Sequence, residues 1–549
     1  MLIRKRPPRP TPAGAPLLHE NHPRPVTRRD FLAAGMIGAQ GMVIGSAWLG
    51  ALLKAQTARA GLDADIQALL GSGQCNIPSG SGSLPFIVFD LAGGANLVGS
   101  EALVGVQGGQ ANFLSVAGYG KLGLPGNMVP TSTTFVSSAL GLLWHSDGAI
   151  LRGIQTVAAA ATQAGVNGAV IPAMSQNDTQ SNTINPIYGI AEAGAKGTVV
   201  NLVGTNSSVS GGNSAALMYT INPALQPATI QQPSDAVALA PPDPGGGPPD
   251  PLALAELESE ARISTGTAAY TGSGSSGAEF TGAMSDPSGS TPGVQIITGN
   301  PVLNGVTADA AAKNQLRCSY VQAANTANIF AAGPAGLDPT QDQLIVGGTT
   351  PIFTAADFQN QDVAMTASVM KLVIDGYAGA GTISLGGFDY HDSTRATGET
   401  RNFQAGQMIG AVLEYAARKG TPVMIQIMSD GSLNSNAMVD TSAAGRDKLG
   451  WQGDNSSVAA TLILVYSPKG RPALRNGVAG QQIGYFSSDG SVVTTSSPAA
   501  NSVNQIPELI MLNYMGLAGT DAQFTTTFPM QGLGPASALG ALTVFEPII

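Results

Sequence analysis

Short apolar runs alternating with longer amphipathic segments are the feature that most constrains how this chain can fold. The runs Leu84–Leu91, Ala149–Gln155, Thr198–Val203, Thr382–Leu385, Pro422–Met428 and Ala460–Tyr466 have the length and β-branched content of strands. Helical spacing is expected over Thr134–His145, Ala308–Ala331, Asp362–Gly376, Glu399–Lys419 and Gln505–Met515. The Glu399 segment is the clearest: Phe403, Ile409, Val412, Leu413 and Ala416 share a face, and Arg418 and Lys419 complement the negative end of the helix dipole. Gly420 and Pro422 then stop it, and a strand candidate follows at once. Strands separated by helices need crossover connections, so the expected class is α/β, with a doubly wound, mostly parallel sheet sandwiched by helices. No internal repeat is visible.

The alternation breaks once. Residues 241–251 read Pro-Pro-Asp-Pro-Gly-Gly-Gly-Pro-Pro-Asp-Pro, which can be neither helix nor central strand because proline lacks the backbone donor. A helix-like stretch, Leu252 to Ile263, and a Gly/Ser/Thr-rich stretch, Thr265 to Gly293, follow. Residues 233–295 therefore read as a mobile insertion or surface excursion, or as a passive linker, within a single domain over 61–549. Despite 71 glycines and 36 prolines, the hydrophobic fraction of 43% is too high for a disordered chain.

Charge is sparse and unevenly placed. Only 11% of residues are charged, against about 25% in typical soluble domains. Lys and Arg total 25 against 35 Asp and Glu, and nine of the basic residues but only two of the acidic ones fall in positions 1–60. Residues 61–549 thus carry 16 basic and 33 acidic side chains, a formal −17. With no basic surplus to neutralise phosphates, nucleic-acid binding is excluded as an expectation.

Residues 1–60 read as a targeting segment. A basic, polar start leads to Thr27-Arg28-Arg29-Asp30-Phe31-Leu32, then an apolar run to Leu53 interrupted by Gln40, then Ala58-Arg59-Ala60 as a cleavage pattern. Paired arginines before Phe-Leu resemble the twin-arginine export signal, and Lys54 after the apolar run fits that route. The expectation is a folded protein exported by the twin-arginine translocase to the periplasm or cell surface, with no membrane span once the signal is cleaved. The alternative is an uncleaved anchor, since the run is long enough to span a bilayer. Cys75 and Cys318 are the two cysteines, and they read equally as a disulfide or as two thiols.

In open α/β sheets, ligands sit outside the carboxyl ends of the strands. Three places put acids there. Asp90 ends the run Leu84–Phe89 and precedes Gly93-Gly94, Asp389 and His391 follow Leu385-Gly386-Gly387-Phe388, and Asp430 follows Met428-Ser429. A lone aspartate after a strand is commonly a turn or cap acceptor. Together with an imidazole, convergent carboxylates make a site for a divalent metal. His391 carries most weight, because residues 61–549 contain two histidines and the other, His145, beside Trp144, is expected to be structural.

These segments, Phe89-Asp90-Leu91-Ala92-Gly93-Gly94, Gly387-Phe388-Asp389-Tyr390-His391 and Ser429-Asp430-Gly431, resemble the spaced motifs of the alkaline phosphatase and sulfatase superfamily. They are most like its branch of exported proteins with twin-arginine signals. The resemblance covers most of 84–205 and 380–520. It implies an alkaline phosphatase-like α/β sandwich, a metal cluster, and a nucleophile that attacks the phosphorus or sulfur of a small anionic ester. By position, Asp90 would ligate one metal, Asp389 and His391 another, and Asp430 would bridge or join them. In Met174-Ser175-Gln176-Asn177-Asp178-Thr179-Gln180, the resemblance makes Ser175 or Thr179 the nucleophile and Asn177 or Asp178 a ligand. Asp454-Asn455 stands where a final Asp-His pair is expected, which makes Asp454 a further metal candidate.

The chain also departs from that pattern. Full phosphatase sites use several histidines, whereas His391 is the one plausible ligand of that kind here, which argues against a two-zinc centre. Neither cysteine lies in the Cys-x-Pro-x-Arg setting that forms the sulfatase formylglycine. An Asp-rich, His-poor ligand set suits Ca²⁺, Mg²⁺ or Mn²⁺. Two expectations follow: a metal-dependent hydrolase of phosphate or sulfate esters, or a catalytically degenerate relative serving as an envelope or cell-surface binding or structural component.

Overall fold

The computed structural model describes residues 83–131, 133–175, 181–240, 302–303, 306–307 and 334–549. The segment 1–60, Cys75, Cys318, the expected helix 308–331 and residues 241–295 of the excursion lie outside the described residues. Its first residues, 233–240, belong to the fold, with Ala236 buried.

Among the described residues the strands are β1 (Phe86–Leu91), β2 (Val166–Pro172), β3 (Val200–Gly204), β4 (Ala228–Thr229), β5 (Ala378–Leu385), β6 (Val423–Met428), β7 (Leu433–Val439), β8 (Leu449–Asp454) and β9 (Ala460–Tyr466), besides two short ribbons. Seven of them form one sheet in the order β2-β9-β6-β1-β5-β3-β4. From β6 to β4 every pairing is parallel, while β9 runs against both β6 and β2. β7 and β8 make a separate antiparallel hairpin between β6 and β9.

Why the central strands read as continuous apolar runs is plain from β1. Ile87, Phe89 and Leu91 enter one core layer, and Phe86 and Val88 enter the other. Both faces of the sheet are covered, as parallel sheets require. Helices α1 (Ala149–Val157), α3 (Gln361–Ile374) and α4 (Ala396–Lys419) pack on the first face, and α2 (Ile187–Glu192) and α5 (Gln505–Leu517) on the second. The chain is therefore α/β, with a mostly parallel sheet sandwiched by helices. Among the described residues no helix is long and apolar enough to cross a membrane.

Two expectations are corrected. Ala149–Gln155 is not a strand but lies in helix α1, where Ile150 and Ile154 point into the core one turn apart. A short apolar run does not distinguish a buried helix from a strand; here Glu101 supports the helix start, its Oε2 accepting the Ile150 amide (2.9 Å). Thr134–His145 is not a helix. Val136–Ser137 pairs with Trp144–His145 as a short antiparallel ribbon, turned at Gly141 (φ +78°), where any Cβ would run into Asn167. Strand β2 had no counterpart among the expected strands, because Asn167 and Gly168 interrupt its apolar pattern.

Helices α1 and α4 approach so closely that a Cβ on Gly406 would meet the Ile150 carbonyl, and one on Gly153 the Phe403 carbonyl. Gly406→Ala is expected to destabilise the fold by about 1–3 kcal/mol through this overpacking. Urea denaturation measures it, and a change within about 0.5 kcal/mol, the size of a neutral surface substitution, would mean the helices part freely.

Candidate metal centre

β1, β5 and β6 all end on one edge of the sheet, with Asp90 set in register between Met428 of β6 and Ser384 of β5. Asp90 is fully buried. Its Oδ2 accepts the amides of Asn213 (2.5 Å) and Ser214 (3.4 Å) from the loop after β3, and the Ser384 hydroxyl (3.2 Å). Its Oδ1 is buried with no partner among the described residues. Burial pushes the carboxyl up to about 6, against the Asn213 amide and with the help of the Asp430 charge.

Asp430 is likewise buried, two residues beyond β6. The turn Ala92-Gly93-Gly94 folds over it: Gly93 N–H donates to Asp430 Oδ1 (3.1 Å), and the amides of Gly94 (3.0 Å) and Ala95 (2.7 Å) converge on Ser429 Oγ. Ser429 in turn donates to the Leu91 carbonyl (2.7 Å). Gly93 is obligatory on two counts, with φ +122° and a Cβ position 2.9 Å from Asp389 Cβ. Its backbone thus packs against both the buried Asp430 and the loop of a second, exposed group.

That group is Asp389, His391 and Asp454, each offering one ligand atom, all within 4.8 Å of one another. His391 Nε2 lies 2.6 Å from Asp389 Oδ1, with the two side chains 41% and 58% exposed. Asp454 arrives from the hairpin: Leu433 and Asp454 are partners in its register, and Asn455 N–H reaches the Ser432 carbonyl (2.8 Å). Two carboxylates and an imidazole open to solvent can hold a divalent cation and leave positions for water or an anion.

Ser175 follows β2 on the same edge. Its Oγ donates to the Asp430 main-chain oxygen (2.8 Å) and accepts from Asn182 Nδ2 (2.9 Å), so it touches the buried end of the site. Asp178 and Thr179 lie outside the described residues. His145 is a core residue: Nδ1 accepts the Asp147 amide (3.2 Å), Nε2 faces the Met128 carbonyl (3.0 Å), and the ring stacks on Phe135. Burial lowers its pKa to about 4, so it stays neutral.

Sequence reasoning missed two supports. One is the Ser/Asn/Gly loop 205–214 that grips Asp90, which the strand-end rule would have reached, since it follows β3. The other is a buried ion cluster around Glu399, at the start of α4. Glu399 Oε1 accepts Arg395 Nε (3.0 Å) and Lys448 Nζ (2.8 Å), and its Oε2 pairs with Arg152 (2.6 Å). Lys448 also donates to the Asp147 carbonyl (2.7 Å), and Glu101 joins through Asn402 Nδ2 (3.0 Å). Lys448 is fully buried and Arg395 is 1% exposed. Burial lowers the Lys448 pKa and raises that of Glu101, which Glu399's charge raises further. At Glu399 burial acts upward, but the surrounding cations prevail and lower it.

Comparison with family models, with curated proteins and with solved structures finds no match to this chain.

Proposed function

We propose that this chain is an exported, metal-dependent hydrolase of phosphate or sulfate esters, built on an alkaline phosphatase-like fold and carried across the membrane by the twin-arginine translocase. The observation that supports it is the convergence of Asp389, His391 and Asp454 on one exposed point, beside buried Asp90 and Asp430, at the carboxyl edge of a parallel sheet.

The residues fit a divalent cation. Their donors are oxygen-rich with one imidazole, which suits Mn²⁺ or Mg²⁺ better than a pair of zinc ions. The buried Asp90 Oδ1, lacking a hydrogen-bond partner, is the kind of oxygen a cation satisfies. Asp389, His391 and Asp454 would hold one ion, and Asp90 with Asp430 a second. A bound cation would lower the pKa of coordinated water or hydroxyl and neutralise ester oxygens. This chain's own groups do the rest: the Gly93 amide holds the Asp430 carboxylate, and the exposed trio is open to a small anionic ester from solvent. Ser175, the nucleophile candidate within the described residues, sits against the Asp430 main chain. The engagement of its hydroxyl with the Asp430 main chain and Asn182 favours a second reading, in which the site binds a cation without turnover in an envelope or cell-surface component.

Elemental analysis of the purified chain is expected to find at least stoichiometric divalent metal. Asp389→Ala, His391→Ala and Asp454→Ala should each weaken Mn²⁺ binding by no less than the roughly 10–100-fold that loss of an outer-shell partner costs. Turnover of aryl phosphate or aryl sulfate esters separates the two readings: metal without hydrolysis supports the second, and neither metal nor hydrolysis eliminates both.

A further inference from the structure

Loop 386–395, which carries Asp389 and His391, and hairpin β7–β8, which carries Asp454, belong to different parts of the fold. Among their links, one is ionic and aromatic. Arg395 starts helix α4, its guanidinium carbon lies 4.4 Å from the centre of the Trp451 ring, and both side chains are buried. Trp451 stands three residues before Asp454 on β8. Around this stack the main chains are stitched together: Ser393 N–H donates to the Trp451 carbonyl (3.0 Å), and Trp451 N–H to the Thr394 carbonyl (3.0 Å). Asp440, just past β7, accepts the amides of Arg395 (2.8 Å) and Ala396 (3.1 Å). Two glycines make the space, since a Cβ on Gly123 would strike Arg395 and one on Gly398 would lie 2.8 Å from the Trp451 indole nitrogen.

We propose that Arg395 and Trp451 are positioning residues for the cation site: their stack fixes the loop bearing Asp389 and His391 against the hairpin bearing Asp454, and so sets cation affinity. The inference rests on the cation reading above. A planar guanidinium can stack on the indole and at the same time hold Glu399 Oε1 and, at 2.8 Å, Ser100 Oγ. Lysine keeps the charge but has neither the plane nor the fork, so Arg395→Lys isolates the geometric role. Arg152, which meets the same Glu399 from helix α1, provides the control for a purely structural effect.

The test is calorimetric titration of the full chain with Mn²⁺, alongside hydrogen exchange of residues 388–394 in metal-free protein. R395K is expected to raise the Mn²⁺ dissociation constant about tenfold, as loss of outer-shell support does, and to speed exchange in 388–394 while leaving the interior of α4 unchanged. Trp451→Phe should act in the same direction and more weakly. Arg152→Lys is expected to leave both readings at wild-type values. An R395K protein with wild-type affinity, or one shifted no further than R152K, overturns the proposal while the cation reading stands. A wild-type chain that takes up no Mn²⁺ overturns the cation reading, and the affinity claim with it.

Discussion

Replacing Lys448 by methionine is expected to destabilise the protein by roughly 3–5 kcal/mol, the scale for removing one partner from a buried ion cluster. Methionine preserves most of the stem volume, so packing changes little and charge is what is lost. The ammonium bonds Glu399 Oε1 at 2.8 Å and the Asp147 carbonyl at 2.7 Å, and lies 3.3 Å from Asp147 Oδ2. Without it, two glutamates buried close enough to raise each other's cost, Glu101 and Glu399, have to be neutralised by Arg395 and Arg152. Urea denaturation at pH 7 measures the loss. Adding Glu399→Gln should return part of it, because residues in one network are not additive. A loss below about 1 kcal/mol, within the range of an exposed ion pair, would mean that the arginines alone neutralise both acids.

Asp90→Asn is expected to have opposite effects on stability and binding. In chelator-treated protein at pH 7 it should stabilise the fold by roughly 1–3 kcal/mol, since it removes a fully buried charge whose Oδ1 has no partner. The asparagine oxygen can keep the Asn213 and Ser214 amides while its NH₂ takes the Oδ1 position, near the Asp430 charge. The sign of the pH dependence follows from the raised pKa. Asp90's contribution in the wild type is fully present below its unfolded value of 3.8 and is lost as pH rises through about 6. The advantage of the variant should therefore be small at pH 4 and level off above about pH 6 to 7. Mn²⁺ binding at the buried pair should meanwhile be abolished. Denaturation curves at pH 4 and pH 7 decide the matter: a variant less stable than wild type at pH 7 would show that the carboxylate stabilises the metal-free fold.

Much of the sheet and part of the site could be read from residue order. β1, β5, β6 and β9 are buried on both faces, so their sequences are mostly apolar with few polar interruptions, and the polar residues that follow β1, β5 and β6 fall on a sheet edge. That reasoning reaches Asp90, Asp389, His391 and Asp430 without further help. It fails where a run lacks a period: Ala149 to Ile154 is apolar enough for either element, and its helix start is capped by Glu101, which lies far from it in sequence. Asp454 ends no central strand, so its place beside His391 depended on a family resemblance rather than on spacing. The ion cluster was not legible at all. Glu101, Lys448 and Glu399 each look like ordinary surface residues in the sequence, and their burial arises only when the hairpin and the start of α4 are packed together.

The position of β1 at the centre of the sheet has a bearing on timing. Its neighbours on either side are supplied much later in the chain, with 294 residues separating Asp90 from Ser384 and 337 separating Gly93 from Asp430. Pairings this distant close slowly, because the loop entropy has to be lost before any contact forms. The edge that gathers the acids therefore cannot be complete on a nascent chain until Asp454 has been made. If the chain is exported folded and binds a cation, as proposed, cation capture would act as a check of completion, because the acids of the site come together only in a finished sheet.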